Sequence, residues 1–161
     1  MNLSDPLPPL VVFDLDFTLW DCGGTWCDCL SPPFHERDGH IFDSSRRAPI
    51  RLYQDVPEIL EHLQADGHEL AVASRTHAPE WARQLMEMLE IAGCFQYEEI
   101  YPGSKIAHFE RIAAESGRRY EQMVFFDDEQ RNIAEVGGLG VHCVQVDEGM
   151  RWPLARAAIG C

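Results

Sequence analysis

The sequence predicts an α/β fold, a three-layer sandwich in which a mostly parallel central sheet is covered by helices on both faces. Two observations carry this expectation. The apolar runs at residues 10–13, 70–73 and 123–126 are continuous and not alternating, as strands buried on both faces require. Between them lie segments with apolar residues at helical spacing, so that strand and helix take turns along the chain.

Taken in order, residues 1–9 are proline-rich and read as a loose leader. The first run continues into Asp14, Leu15, Asp16, Phe17 and Thr18, which places two carboxylates one residue apart at the C-terminal end of a buried strand. In open α/β sheets ligands bind at that end. Like charges this close raise each other's pKa unless a cation or a proton intervenes. Residues 21–49 are polar and rich in Gly, Pro and Asp, and they read as a loop or short hairpin inserted after strand 1. Asp38-Gly39, between Phe34 and Ile41, suits the turn of a small two-stranded flap.

Asp55 reads as the N-cap of a helix through Ile59, Leu60 and Leu63 that Gly67 ends. The second strand stops at Ser74-Arg75-Thr76, and Pro79 opens a helix carrying Trp81, Leu85, Met88 and Leu89 and closing near Gly93. A short strand at 99–101 precedes Ser104-Lys105, one of which opens a helix through Ile106, Phe109 and Ile112. The run at 123–126 ends in Asp127-Asp128, and a helix through Ile133 and Val136 stops at Gly137-Gly138. Residues 141–146 form the last strand, with a short helix after Arg151. Right-handed crossovers bring all strand C-termini to one edge. Asp14, Asp16, Ser74, Arg75, Lys105, Asp127 and Asp128 are thereby gathered on one rim.

At 161 residues the chain has the size of one domain. Its 27 Asp+Glu against 13 Lys+Arg give a net charge of −14, a field that repels nucleic acid and anionic membranes. A site for phosphate must therefore supply its own positive charge. No basic-then-apolar leader is present, and no apolar run approaches the ~18–20 residues of a membrane span. A cytoplasmic monomer with six reduced cysteines is the expectation.

Several carboxylates with one Lys, one Arg and one Ser are the parts for handling a phosphoryl group beside a hard cation, and oxygen donors suit Mg²⁺. Neither Cys nor His stands in these clusters, which argues against zinc chemistry at the rim. An ionised Asp can attack phosphorus, and a second carboxyl group can protonate the leaving oxygen and then activate water. Asp14 and Asp16 fit those two tasks.

These residues, in order and spacing, resemble the four motifs of the haloacid dehalogenase-like phosphatases. The stretches 13–20, 74–76, 99–105 with 108–111, and 122–129 look most like the magnesium-dependent phosphatase-1 family. The resemblance covers roughly residues 10–150 and implies a Rossmann-like fold without a large cap domain. It further implies Asp14 as nucleophile and metal ligand, and Asp16 as general acid/base with its carbonyl on Mg²⁺. Ser74, Arg75, Lys105, Leu15 and Asp16 would meet the phosphate or substrate. Asp128, with Asp127 beside it, would complete the metal shell, Asp128 being favoured for direct contact. The implied substrates are phosphomonoesters: aryl phosphates including phosphotyrosine, or sugar phosphates, on a small molecule or a phosphoprotein side chain. A catalytically idle phosphate-binding scaffold or regulator of the same fold, or a phosphotransferase, are the alternatives.

Cys22, Cys27 and Cys29, with His35 and His40 nearby, could supply a structural Zn²⁺ site, although their spacing matches no common zinc pattern and ordinary reduced thiols are the favoured reading. His77, His108 and His142 read as structural or surface residues, and Cys94, Cys143 and Cys161 carry no assigned role.

Overall fold

The computed structural model of the protein describes residues 7–160, so most of the leader and Cys161 lie outside the described residues. The centre is a sheet of five strands, all parallel: β1 (Leu10–Phe13), β6 (Leu70–Ser74), β7 (Tyr97–Ile100), β8 (Met123–Asp127) and β9 (His142–Gln145), in the order β7-β6-β1-β8-β9. β1 is central because all four of its residues are buried, with Val12 in register with Ala71 on one side and Phe125 on the other.

Alternate residues of a strand face opposite sides, and the two cores divide accordingly. Val11, Phe13, Leu70, Val72 and Phe126 face one side with Ile59, Leu60, Leu63, Leu85 and Ala155, from α1 (Val56–Ala65), α2 (Pro79–Met88) and α5 (Trp152–Ile159). Leu10, Val12, Ala71, Met123 and Phe125 face the other with Phe109, Ile112 and Val136, from α3 (Lys105–Ser116) and α4 (Gln130–Gly137). These are the three layers that the continuous apolar runs predict.

Two local expectations change, and the flap is more extensive than expected. Asp55 precedes α1 but its carboxylate does not cap it; it accepts instead from the Trp152 N–H at 3.0 Å and so ties the start of α5 to the start of α1. The second helix ends at Met88, short of Gly93, because Glu90 turns left-handed at φ 62° and a 3₁₀ turn follows at Ala92–Cys94. The inserted segment is more ordered than a loop: β2 (Trp20–Asp21) pairs antiparallel with β5 (Arg51–Leu52), and β3 (His35–Arg37) with β4 (His40–Phe42). Asp38 and Gly39 join the latter pair at φ 52° and 80°, the left-handed dihedrals of a tight hairpin turn. The flap rests on α2, where Phe34 meets Trp81 edge to face at 6.5 Å.

Candidate active site

The chain leaves β1 at Asp14, whose backbone N–H still donates to the Phe126 carbonyl at 3.0 Å. The next residues wind into one turn in which the Leu15 carbonyl accepts from the N–H groups of Thr18, Leu19 and Trp20. Phe17 takes φ 62° to close it, a conformation that costs a non-glycine residue about 1–2 kcal/mol. Leu15 buries its side chain in the core and commits its carbonyl to the turn, so only its backbone N–H can meet an anion.

Lys105 opens α3, with Ser104 as a true N-cap whose hydroxyl accepts from the Ile106 N–H. Its side chain is only 1% exposed and runs under the end of β1. There Nζ donates to Asp14 Oδ1 at 2.8 Å and to Asp127 Oδ2 at 2.6 Å. Burial opposes the ammonium charge, but the two carboxylates outweigh it and hold the Lys105 pKa up. Asp127 is fully buried and fully engaged: Oδ2 also accepts from Asn132 Nδ2 at 3.0 Å, and Oδ1 from the Glu129 N–H at 2.8 Å. Asp128 is partly exposed, and burial together with Asp14 and Asp127 pushes its carboxyl up to about 9.

Carboxylate oxygens of Asp14, Asp127 and Asp128 lie within 4.8 Å of one another, the sole such cluster of His, Cys, Asp or Glu ligand atoms among the described residues. Three carboxylates with one ammonium leave two negative charges unbalanced. An all-oxygen donor set with that deficit fits a hard divalent cation such as Mg²⁺. Asp14, Asp128 and Lys105 line a cavity of about 330 Å³, shared with Asp16, Ser74, Arg75, Thr76 and Trp26, with Asp127 buried against Lys105. Every predicted site residue with a functional side chain therefore meets at one place.

Asp16 stands on the same turn in a different setting. Its Oδ1 accepts from Trp20 Nε1 at 2.7 Å, from the Cys27 N–H at 3.0 Å and from the Cys22 thiol at 3.7 Å. Burial raises its pKa against these donors, which favours the protonated acid. The same contacts dispose of the zinc site. Cys22 turns to Asp16, Cys27 to Thr76 Oγ1 at 3.4 Å and exposed Cys29 to Asp28, so the thiols do not converge with His35 or His40. Burial pushes the Cys22 and Cys27 thiols well above the usual range.

The family model for acid phosphatases matches residues 6–160 of this chain. The chain belongs to that family. It is 48% identical over 145 residues to Magnesium-dependent phosphatase 1 of Homo sapiens, across 89% of this chain and 81% of that one. A HAD-like hydrolase superfamily protein of Schizosaccharomyces pombe is 40% identical over 146 residues, 83% of each chain. Among solved structures, a predicted phosphatase from Clostridium acetobutylicum superposes with a TM-score of 0.70 at 14% identity, covering 94% of this chain and 91% of that one, which shows the shared fold. The chain is thus an acid-phosphatase-family hydrolase of the haloacid dehalogenase-like superfamily, in the magnesium-dependent phosphatase-1 family.

Three further residues shape this phosphatase site. Asn132, buried in the first turn of α4, links Asp127 to Arg75 by donating to the former and accepting from Arg75 Nη1 at 3.2 Å. Trp20 supplies the shortest bond to Asp16. His108 is buried, and its ring nitrogens lie 2.8–3.1 Å from the carbonyls of Ser74, Tyr101 and Ser104. It therefore ties the end of β6 to the start of the helix that carries Lys105, the structural role its isolation in sequence suggests. Its helical position, three residues after Lys105, was the one signal that it shares that helix's approach to the site.

Proposed function

We propose that the protein is a Mg²⁺-dependent phosphomonoesterase acting through an aspartyl-phosphate, an acyl phosphate on Asp14. The observation that supports it most directly is the Lys105 ammonium shared between Asp14 and Asp127, with Asp128 beside them. Such a cluster has two carboxylates more than its one ammonium balances until a divalent ion arrives. Bound Mg²⁺ would be held by Asp14, by Asp128 with Asp127 close by, and by the Asp16 carbonyl, and it would offset negative charge on the phosphoryl oxygens.

The remaining roles belong to side chains. Lys105 neutralises and fixes Asp14, aided by Thr18 Oγ1, which donates to Asp14 Oδ2 at 3.3 Å. Ser74, Arg75 and the N–H groups of Leu15 and Asp16 receive the phosphate. An Asp14 oxygen forms a bond to phosphorus as the ester P–O bond breaks, and Asp16 gives its proton to the departing oxygen. Asp16, now a carboxylate, takes a proton from water; that water bonds to phosphorus, the Asp14–phosphorus bond breaks, and phosphate leaves. The donors on Asp16 converge on Oδ1, which leaves Oδ2 to carry the proton.

The substrates are aryl phosphates including phosphotyrosine, or sugar phosphates, reached through a cleft that the short flap leaves open. We place the enzyme, as a single domain and monomer, in the cytoplasm; free thiols at Cys22, Cys27, Cys29, Cys94 and Cys143 support a reducing compartment. Among the described residues no helix is long and apolar enough to cross a membrane. Hydrolysis of 4-nitrophenyl phosphate tests the reading. Turnover should require Mg²⁺, stop with chelator and fall by roughly 10³-fold or more in Asp14→Asn. Absence of turnover with Mg²⁺, or its survival in that variant, sinks the mechanism.

A further inference from the structure

Trp26 is half exposed, one of two large apolar side chains so exposed among the described residues, the other being Leu7. It is also part of the wall of the cavity that holds Asp14, Lys105 and Asp128. Ordinary surface tryptophans owe nothing to a catalytic centre, but this one is fastened to it at several points. Its ring meets Phe17 edge to face at 5.9 Å and 86°, and Phe17 is the left-handed residue of the Asp14–Asp16 turn. Its carbonyl accepts from the Cys29 N–H at 3.0 Å, and the next N–H, of Cys27, donates to Asp16 Oδ1 at 3.0 Å. Asp28 then accepts from the His77 N–H at 3.2 Å, pinning the flap to the loop after β6. The ring is thus held in place before any ligand arrives, and little ordering entropy is lost when one stacks on it.

Charge is divided across the cavity. Lys105, Arg75 and Arg131 supply the cations, interleaved with Asp14, Asp128 and Glu129, whereas the flap side beside Trp26 carries Asp28 and no cation among the described residues. A phosphoryl group drawn to Lys105 leaves the rest of its ester facing an aromatic ring and a carboxylate. That wall favours a planar, uncharged group and disfavours an anionic one.

We propose that Trp26 is the specificity-determining residue of this site, a preset platform that stacks against an uncharged aromatic leaving group. The inference rests on the phosphatase reading above for its kinetic consequence, but not for binding itself. Benzyl phosphate and n-butyl phosphate separate the two, since their leaving oxygens are similar in basicity and only one carries a ring.

With Trp26→Ala, kcat/KM for benzyl phosphate should fall about tenfold, mostly through KM, while that for butyl phosphate changes less than about twofold. Trp26→Phe should recover most of the loss, because the smaller ring still stacks. Equal losses on both substrates, or no loss on either, would overturn the proposal. Calorimetric titration with benzylphosphonate, which cannot be hydrolysed, supplies the second readout, in wild type and Trp26→Ala with Mg²⁺ present. An affinity about tenfold weaker in the variant supports the platform, and an unchanged affinity refutes it. Were both esters left intact by the wild type, the phosphatase reading would fail while the phosphonate titration still decided the role of Trp26.

Discussion

Asp14 and Asp16 are two residues apart and face opposite environments. The inner half of the site, built on the sheet edge, sets Asp14 against an ammonium that it shares with Asp127. The outer half, built under the flap, sets Asp16 among neutral donors: an indole N–H, a backbone N–H and a thiol. A cation keeps a carboxylate ionised and so available to attack phosphorus, whereas desolvation without a cation favours the protonated acid. The proposed division of labour between nucleophile and acid follows from where Lys105 ends and where the flap begins. Changes that exchange these environments are the ones that test it.

Apart from the loss of Asp14 itself, the largest effect is expected on the outer half. Asp16→Asn keeps the hydrogen-bonding shape but can neither give nor take a proton, so turnover should drop by about 10²- to 10⁴-fold. Binding of vanadate or phosphate with Mg²⁺ should stay within a few-fold of wild type, because the inner half is untouched. Turnover that persists in this variant would show that Asp16 is not the acid.

The inner half should respond in stability as well as in activity. Lys105→Met leaves Asp14 and Asp127 buried without their cation, and removing one partner of a buried pair costs about 3–5 kcal/mol. For a chain of this size that is roughly a 10 °C fall in Tm at pH 8. Adding Asp127→Asn removes one orphaned charge and should return part of the loss. A single variant as stable as wild type would mean that the cluster is not held by Lys105.

Most of the fold was legible in the sequence because continuous apolar runs have few other uses, and the strand ends carried their polar residues in plain view. Asp14, Ser74, Lys105 and Asp127 could be assigned to one rim from topology alone. What could not be read was side-chain direction. Nothing in the spacing of Cys22 and Cys27 told that one would turn a thiol, and the other a backbone N–H, toward Asp16, so a zinc site stayed open until the geometry closed it. Asp55 had the right residue type for a cap, yet its carboxylate was drawn to Trp152, 97 positions away, a contact no local pattern contains. Asn132 and Trp20 escaped notice for the same reason: each acts through a partner that only the folded chain brings near.

The smallest effect, and the one that sharpens the comparison most, concerns the metal-free protein. Burial, then Asp14 and Asp127, raise the Asp128 carboxyl from 3.8 to about 9. A folded-state pKa above the unfolded one means that the native protein binds the extra proton. The associated stability is fully present below pH 3.8 and is lost as pH rises toward 9. With chelator, Tm should therefore decline through this range more steeply in wild type than in Asp128→Asn, which carries no such proton. The difference between the two curves isolates Asp128 from every group that the two proteins share. A divalent cation replaces the proton as the balancing charge, so Mg²⁺ should raise Tm more at pH 8 than at pH 5, and little in the variant. Parallel curves for the two proteins would mean that Asp128 is not coupled to the inner cluster, and the deficit of positive charge would then belong to Asp14 and Asp127 alone.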